Sequence, residues 1–194
     1  MPPPQELALP RGYWEALRKD SHTDFVTRGR SKKYRHALEN TIPWRDQPSF
    51  RRGLDMCCGR GAVTIAALQT LPNVHIHGVD LDSDAGYASL TDEERKRATF
   101  VETDVRDSLR RKQQPFDLIL VGFVEIPEDF DYESLASSLT PNGVVIELPA
   151  GQHERFDRDK MRRAGIMDEW SDEYFRGEFR TVWHGPGSTR AYFC

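Results

Sequence analysis

From residue 52 to residue 165 the sequence alternates between strand-like and helical segments, and this alternation limits the possible folds more than any other feature. Strands that alternate with helices at this spacing predict a parallel sheet covered by helices on both faces, an α/β fold. The nearly continuous apolar character of 118–121 and 144–146 is typical of strands buried on both sides. The predicted strands are 52–57, 74–80, 99–104, 116–122 and 144–149, with helices over 62–71, 83–97, 105–113, 132–139 and 158–165 and a turn at 140–143.

The two ends of the chain follow different patterns. Four prolines within residues 1–10 predict a flexible tail, and 11–49 reads as a helical segment that ends at Pro43 and Pro48. At the other end, 179–185 and 189–194 flank a Pro-Gly-Ser turn, which predicts an antiparallel hairpin. We therefore expect a tail, an N-terminal helical segment and one main domain over 50–194.

Composition and charge narrow the function classes. The longest strongly apolar run, 118–124, is far too short to span a bilayer, and we expect neither a membrane segment nor a secretory signal. Three cysteines are too few for a disulfide framework, so a reducing, cytoplasmic compartment is expected. The first 53 residues carry eleven Lys/Arg against six Asp/Glu, although the net charge of the chain is −4. This asymmetry is compatible with a basic N-terminal arm on an acidic body, but it does not indicate a globally basic nucleic-acid binder.

The stretch LDMCCGRGAV, residues 54–63, follows the first predicted strand and contains the main candidate site. It is not a phosphate loop, because no GxxxxGK[ST] string occurs in the chain. A dinucleotide fingerprint needs a third small residue that is missing after Gly61, and Asp55 fits poorly beside a pyrophosphate. A ligand with an ammonium, a sulfonium and a carboxylate but no phosphate, S-adenosylmethionine, suits an acid next to a glycine turn.

Through the residues of this stretch, the sequence resembles the class I S-adenosylmethionine-dependent methyltransferases. Their first motif is similar to Gly53–Gly61, except that Cys57 stands where the family usually has its first glycine. The resemblance implies a Rossmann-like sheet of seven strands, ending in an antiparallel pair, and S-adenosylmethionine as cofactor.

The same resemblance implies roles for individual residues at the strand ends. Asp80 would bind the ribose hydroxyls, Asp104 would accept from the adenine amino group, and the Val105 N–H would donate to the ring. Gly122 ends the fourth strand, which faces the reacting methyl group. The full set of implied cofactor-binding residues is Asp55, Cys57, Cys58, Gly59, Gly61, Asp80, Leu81, Asp104, Val105 and Gly122.

Simpler interpretations of these residues stay open. Asp55 could cap the following helix or pair with an arginine, and Asp80 and Asp104 could be ordinary strand-end turn residues. Cys57 and Cys58 could be small packing residues. No second Cys/His pair lies at ligand spacing, so no metal site is predicted.

The sequence constrains the methyl acceptor less than it constrains the cofactor. Glu125 and His153 are candidate bases, although neither stands out. The [DNS]PP[YFW] motif of exocyclic-amine methylation does not follow the fourth strand, which argues against nucleic-acid bases as acceptors. We expect the N-terminal segment to cover a small-molecule acceptor, methylated on oxygen or nitrogen. The candidate substrate-binding aromatics are Tyr13, Trp14, Phe25 and Tyr34.

Two alternatives remain for the function. The segment 28–36, RGRSKKYRH, places five cations around Tyr34 and could track RNA phosphates with one stacking ring. The chain could also bind S-adenosylmethionine without transferring the methyl group. The sequence does not indicate an oligomeric state.

Overall fold

A seven-stranded sheet forms the centre of the molecule. The computed structural model describes residues 24–42, 49–81, 89–111, 114–122, 126–148, 156–175 and 178–186. The strands lie in the order β3-β2-β1-β4-β5-β7-β6, which confirms the predicted α/β sheet. Their bounds are β1 Arg52–Met56, β2 His75–Asp80, β3 Ala98–Glu102, β4 Phe116–Val121, β5 Leu139–Glu147, β6 Met167–Phe175 and β7 Glu178–His184.

The first five strands run parallel, and β7 is antiparallel to both β5 and β6. β1 pairs with β2 on one side and with β4 on the other, so the chain order reverses at β1. In open parallel sheets a crevice forms beyond the carboxyl ends of the strands at such a reversal. The loop after β1, predicted as the candidate site, lies at this point.

Helices cover both faces of the sheet. Side chains alternate along β4: Leu118 and Leu120 join one core cluster, while Ile119 and Val121 join the other. Burial on both faces explains why this strand reads as an unbroken apolar run. The helices are α1 Asp24–Thr41, α2 Ala62–Thr70, α3 Asp92–Arg95, α4 Val105–Arg110, α5 Tyr132–Ser137 and α6 Arg158–Arg163.

Helix α1 confirms the helical pattern predicted for its part of the N-terminal segment. Thr27, Ser31, Tyr34 and Leu38 are all buried, at spacings of three to four residues that form one helical stripe. Tyr34 and Leu38 belong to the same core cluster as the apolar residues of α2. The helix therefore shares the core of the sheet domain. The predicted tail, 1–10, lies outside the described residues, and so do residues 11–23 and 43–48 of the N-terminal segment.

Two predicted boundaries need correction. The turn predicted at 140–143 is part of β5, because the strand starts at Leu139 and continues to Glu147. Its register with β4 jumps, since Phe116 faces Leu139 whereas Leu118 already faces Val144, so the turn-like residues are taken up as an irregularity within the strand. The helix predicted over 83–97 is helical only over Asp92–Arg95 among the described residues, after a capping box at Thr91.

The predicted C-terminal antiparallel hairpin is confirmed, but it is formed by β6 and β7 and not by 179–185 with 189–194. β7 matches the predicted strand at 179–185, but its hairpin partner is β6 and its other neighbour is β5. The segment 189–194 lies outside the described residues. β6 escaped prediction because four of its nine residues, MDEWSDEYF, are acidic, and Asp and Glu are depleted in strands. Across the described parts of the chain, no helix has both the length and the apolarity to cross a membrane.

Candidate active site

The loop between β1 and α2, residues 57–61, turns through three left-handed backbone positions and is called the glycine loop below. Cys57 has a φ of 55°, Gly59 of 49° and Gly61 of 80°. The left-handed region costs a residue with a Cβ roughly 1–2 kcal/mol, which explains why glycine suits these positions and makes Cys57 a strained exception. The Cys58 N–H donates to the Val79 carbonyl at 3.0 Å, which ties the loop to the end of β2.

Asp80, the last residue of β2, supports the same loop with its side chain. Its Oδ2 accepts a hydrogen bond from the Gly59 N–H at 2.8 Å. The carboxylate therefore lies at the mouth of the crevice and helps to shape the turn beside it.

Asp55 is a buried acid directly beneath the loop. Its side chain is 1% exposed, and its Oδ2 accepts a hydrogen bond from the Thr64 hydroxyl at 2.6 Å. Its Oδ1 is buried and has no hydrogen-bond partner within the described part of the chain. Burial raises the pKa of Asp55 to about 7. An unpartnered buried carboxylate oxygen at a cavity wall suits a cationic donor such as an ammonium.

Two cavities meet at the glycine loop. The first, of about 200 Å³, is called the β2–β3 cavity and the second, of about 170 Å³, the α1 cavity. Cys57 belongs to the wall of both. The β2–β3 cavity is lined by Cys57, Asp80, Leu81, Thr103, Asp104, Val105, Arg106, Ile126, Pro127 and Phe130. The α1 cavity is lined by Thr27, Arg30, Tyr34, Asp55, Cys57, Cys58, Gly59, Arg60, Ala62, Val63 and Gly122.

Asp104 caps helix α4 in the β2–β3 cavity. Its carboxylate accepts from the Arg106 backbone N–H at 2.8 Å and forms an ion pair with the Arg106 guanidinium at 2.7 Å. Hydrogen bonds from that guanidinium are the main reason that the pKa of Asp104 is lowered. The interpretation of Asp104 as a turn residue therefore agrees with these contacts. A ligand that binds this carboxylate would bind a group that is already paired with Arg106.

The two loop cysteines are neutral thiols. Burial is the main cause that raises the pKa of Cys57 to about 12, and burial raises the pKa of Cys58 as well. A Cβ on Gly78 of β2 would lie 2.9 Å from the Cys58 sulfur, so Cys58 fills the space that this glycine leaves. Both features agree with a packing role rather than a nucleophilic one.

Helix α1 places the residues of the basic segment 28–36 in different surroundings. The Arg28 guanidinium pairs with Glu94 at 3.3 Å, and Arg35 pairs with Glu39 at 3.4 Å. Tyr34 is only 6% exposed, because it lies on the buried stripe of α1. The expectation that Tyr34 offers a stacking ring in the middle of an exposed basic patch is therefore wrong.

The sequence of residues 54–143 matches the model of a methyltransferase domain family. Together with the strand order, this match decides the family. The chain carries a class I S-adenosylmethionine-dependent methyltransferase domain. The family implies S-adenosylmethionine as the methyl donor.

Solved structures with the same fold are remote in sequence. An O-methyltransferase family protein from Burkholderia thailandensis is 12% identical at a TM-score of 0.60, covering 89% of this chain and 63% of its own. The antibiotic-resistance methyltransferase Kmr is 17% identical at 0.53, covering 84% and 94%. The mitomycin 7-O-methyltransferase MmcR is 14% identical at 0.58, covering 88% and 59%. No curated protein matches the sequence.

The structure brings most of the sequence-predicted cofactor residues of this methyltransferase to the two cavities. Gly61 lines neither cavity but precedes the first turn of α2. Of the predicted substrate-binding residues, Tyr34 lines the α1 cavity. The side chain of Phe25, and Tyr13, Trp14, Glu125 and His153 altogether, lie outside the described part of the structure.

Sequence reasoning missed several cavity residues. Thr27 and Arg30 precede Tyr34 by seven and four residues, so helical spacing from Tyr34 was a usable signal for both. Ile126 and Phe130 come from the segment after β4 and had no local signal. Their place in the β2–β3 cavity depends on how that segment packs.

Proposed function

We propose that this methyltransferase binds S-adenosylmethionine across the two cavities and transfers its methyl group to a small-molecule oxygen or nitrogen. The observation that carries the proposal is the meeting of the two cavities at the glycine loop, at the switch point of the sheet. One cavity offers an acid at the end of β2 among apolar side chains, and the other offers a buried acid beneath a glycine turn.

The β2–β3 cavity suits the adenosine part of the cofactor. Asp80 provides a carboxylate at the end of β2, and a carboxylate can accept two hydrogen bonds from the vicinal ribose hydroxyls. Leu81, which is 70% exposed, and the partly buried Ile126 provide apolar surface for the adenine ring. We assign the Val105 N–H and Asp104 to the polar edge of the base, with the Asp104 charge balanced by Arg106.

The α1 cavity suits the amino-acid part. Its buried Asp55 oxygen is complementary to an ammonium, and the backbone N–H groups at the start of α2 favour a negative group nearby. When bound, S-adenosylmethionine supplies a methyl group on a positively charged sulfur. What the chain itself has to provide is orientation of donor and acceptor, together with exclusion of water.

A small-molecule acceptor is supported by the position of α1. The helix packs its buried stripe on the core and contributes Thr27, Arg30 and Tyr34 to the cavity wall, as a cover over a compact site does. The ion pairs of Arg28 and Arg35 and the burial of Tyr34 weaken the RNA alternative. A base is needed if the acceptor is a hydroxyl or an ammonium, and Glu125 and His153 remain our candidates.

Calorimetry with S-adenosylhomocysteine tests the cofactor assignment. The variant is Asp80→Asn, which keeps an oxygen acceptor for the Gly59 N–H but removes the charge. The matched control is Glu102→Gln, an exposed carboxylate directly opposite Asp80 on β3 that lines neither cavity. We expect the wild type and the control to bind equally, and Asp80→Asn to bind about tenfold or more weakly, because charge-assisted hydrogen bonds contribute about 1.5–3 kcal/mol.

Two results would overturn the assignment. A wild-type protein that does not bind S-adenosylhomocysteine contradicts the proposal as a whole. An Asp80→Asn variant with wild-type affinity removes Asp80 and the β2–β3 cavity from the cofactor site.

A further inference from the structure

One stripe of α1 faces the same cavity as Asp55. Thr27, Arg30 and Tyr34 are three and four residues apart, so they lie on neighbouring turns of one side of the helix. All three line the α1 cavity together with Asp55 and the glycine loop. Arg30 and Asp55, which are 25 positions apart in the chain, thus bring a guanidinium and a buried carboxyl group to one small space.

The charges in this cavity are arranged for a zwitterion. Asp55 supplies a carboxylate oxygen that is buried and has no partner among the described residues. The positive side comprises the guanidinium groups of Arg30 and Arg60 and the first turn of α2, which contains no acidic residue. Gly61 has no side chain to cap α2, and in the first turn of the helix Asp55 accepts from the backbone N–H of Thr64 as well as from its hydroxyl.

Arg30 differs from its basic neighbours on α1 in what it faces. Arg28 forms its ion pair with Glu94 outside the cavity, and Arg35 pairs along the helix with Glu39. Lys32 is exposed, as Arg30 is, but lines neither cavity. Of these four cations only Arg30 belongs to the cavity wall.

We propose that Arg30 binds the α-carboxylate of the cofactor's amino-acid portion while Asp55 receives its α-ammonium. The inference rests on the proposed function, since it concerns the same cofactor. It makes α1 part of the cofactor site, in addition to its role as a cover. A guanidinium can hold a carboxylate by two parallel hydrogen bonds, which fixes the amino-acid chain and so directs the sulfur towards the acceptor side.

The experiment compares two ligands that differ by one group. S-adenosylmethionine and its decarboxylated analogue share the adenosine, the sulfonium and the terminal ammonium, and only the former has the carboxylate. Calorimetry is done with both ligands on the wild type, on Arg30→Gln and on the control Lys32→Gln. Gln has nearly the same helix propensity as Arg and Lys, and circular dichroism checks that both variants fold.

We expect the wild type and Lys32→Gln to prefer S-adenosylmethionine over the analogue by about tenfold, the size of one exposed charge-assisted contact. In Arg30→Gln most of this preference is lost, while the affinity for the analogue stays at the wild-type value. Such a loss of coupling between one side chain and one ligand group identifies the pair directly.

Other outcomes separate the two proposals. If Arg30→Gln keeps the preference for S-adenosylmethionine, or if the wild type shows none, Arg30 does not bind the carboxylate and this inference fails alone. If Arg30→Gln weakens both ligands equally, the residue acts through structure, and the inference fails as well. If the wild type binds neither ligand, the proposed function fails first.

Discussion

The fold changes the charge state of Asp55 through burial. Its burial raises its pKa to about 7, so the protein without ligand holds a proton there that the unfolded chain has lost above about pH 4. Because the native state binds more protons in that window, the contribution of Asp55 to stability decreases as the pH rises from about 4 to about 7. A ligand ammonium next to Asp55 favours its ionised form and therefore lowers its pKa in the complex.

A first prediction concerns Asp55→Asn. Compared with the wild type, the variant should gain in thermal stability between pH 5 and pH 8, because Asn cannot ionise inside the core. At pH 8 it should bind S-adenosylhomocysteine about tenfold more weakly, because the ammonium has lost a charged partner. Melting curves at both pH values and calorimetry at pH 8 measure the two effects. Parallel pH profiles for both proteins would contradict the raised pKa.

Cys57 gives a second prediction at the residue scale. Its φ of 55° is unfavourable for a branched side chain. We expect Cys57→Gly to leave stability within about 1 kcal/mol of the wild type, because relief of the left-handed strain offsets the greater entropy of the unfolded glycine chain. Cys57→Val should destabilise the protein by about 1–3 kcal/mol in urea titrations.

Cys57→Ala separates backbone strain from loss of the thiol, since alanine keeps the Cβ without branching. A valine variant as stable as the alanine variant would show that the backbone at this position is not left-handed in solution.

At the scale of elements, α1 links the hydrophobic core to the candidate site. Leu38 is completely buried and lies in one core cluster with the buried apolar residues of α2. The same helix carries Thr27, Arg30 and Tyr34 into the α1 cavity. Packing of α1 and binding at the cavity should therefore be coupled.

The packing of α1 gives a third prediction. Leu38→Ala should lower the free energy of unfolding by about 2–5 kcal/mol, because a buried leucine leaves a cavity. The control on the exposed side of α1, Lys32→Ala, should change it by less than about 0.5 kcal/mol. Chemical denaturation measures both. If Leu38→Ala unfolds like the control, α1 does not pack on the sheet domain in solution.

At the scale of the whole molecule, charge does not favour a polyanion as acceptor. The net charge is −4, and the basic N-terminal part places Arg28 against the acidic Glu94 of the body. Incubation with S-adenosylmethionine labelled in the methyl group, together with a fractionated cell extract, tests the acceptor class. We predict label in the small-molecule fraction. Label in RNA would revive the alternative, and binding without transfer would indicate a non-catalytic relative.

Much of the fold could be predicted because its signals are local. Alternation of strand and helix patterns marked the parallel strands, two-sided burial made β4 uniformly apolar, and the left-handed turns required glycine at 59 and 61. The acids Asp55 and Asp80 could be placed at strand ends for the same reason. Local pattern failed where packing overrode it, as in the acidic strand β6 and in residues 140–143, whose turn-like composition is accommodated inside β5 by a shift of register.

The sequence by itself determined the order of elements along the chain and the glycine loop after the first strand, since each depends on neighbours within a few residues. Only the tertiary structure decided that α1 brings Arg30 and Tyr34 to the cavity of Asp55, and that Ile126 and Phe130 close the one beside Asp80. These residues lie tens of positions apart in the chain, and their proximity follows from the burial of apolar helix faces on the sheet, which no short stretch of sequence encodes.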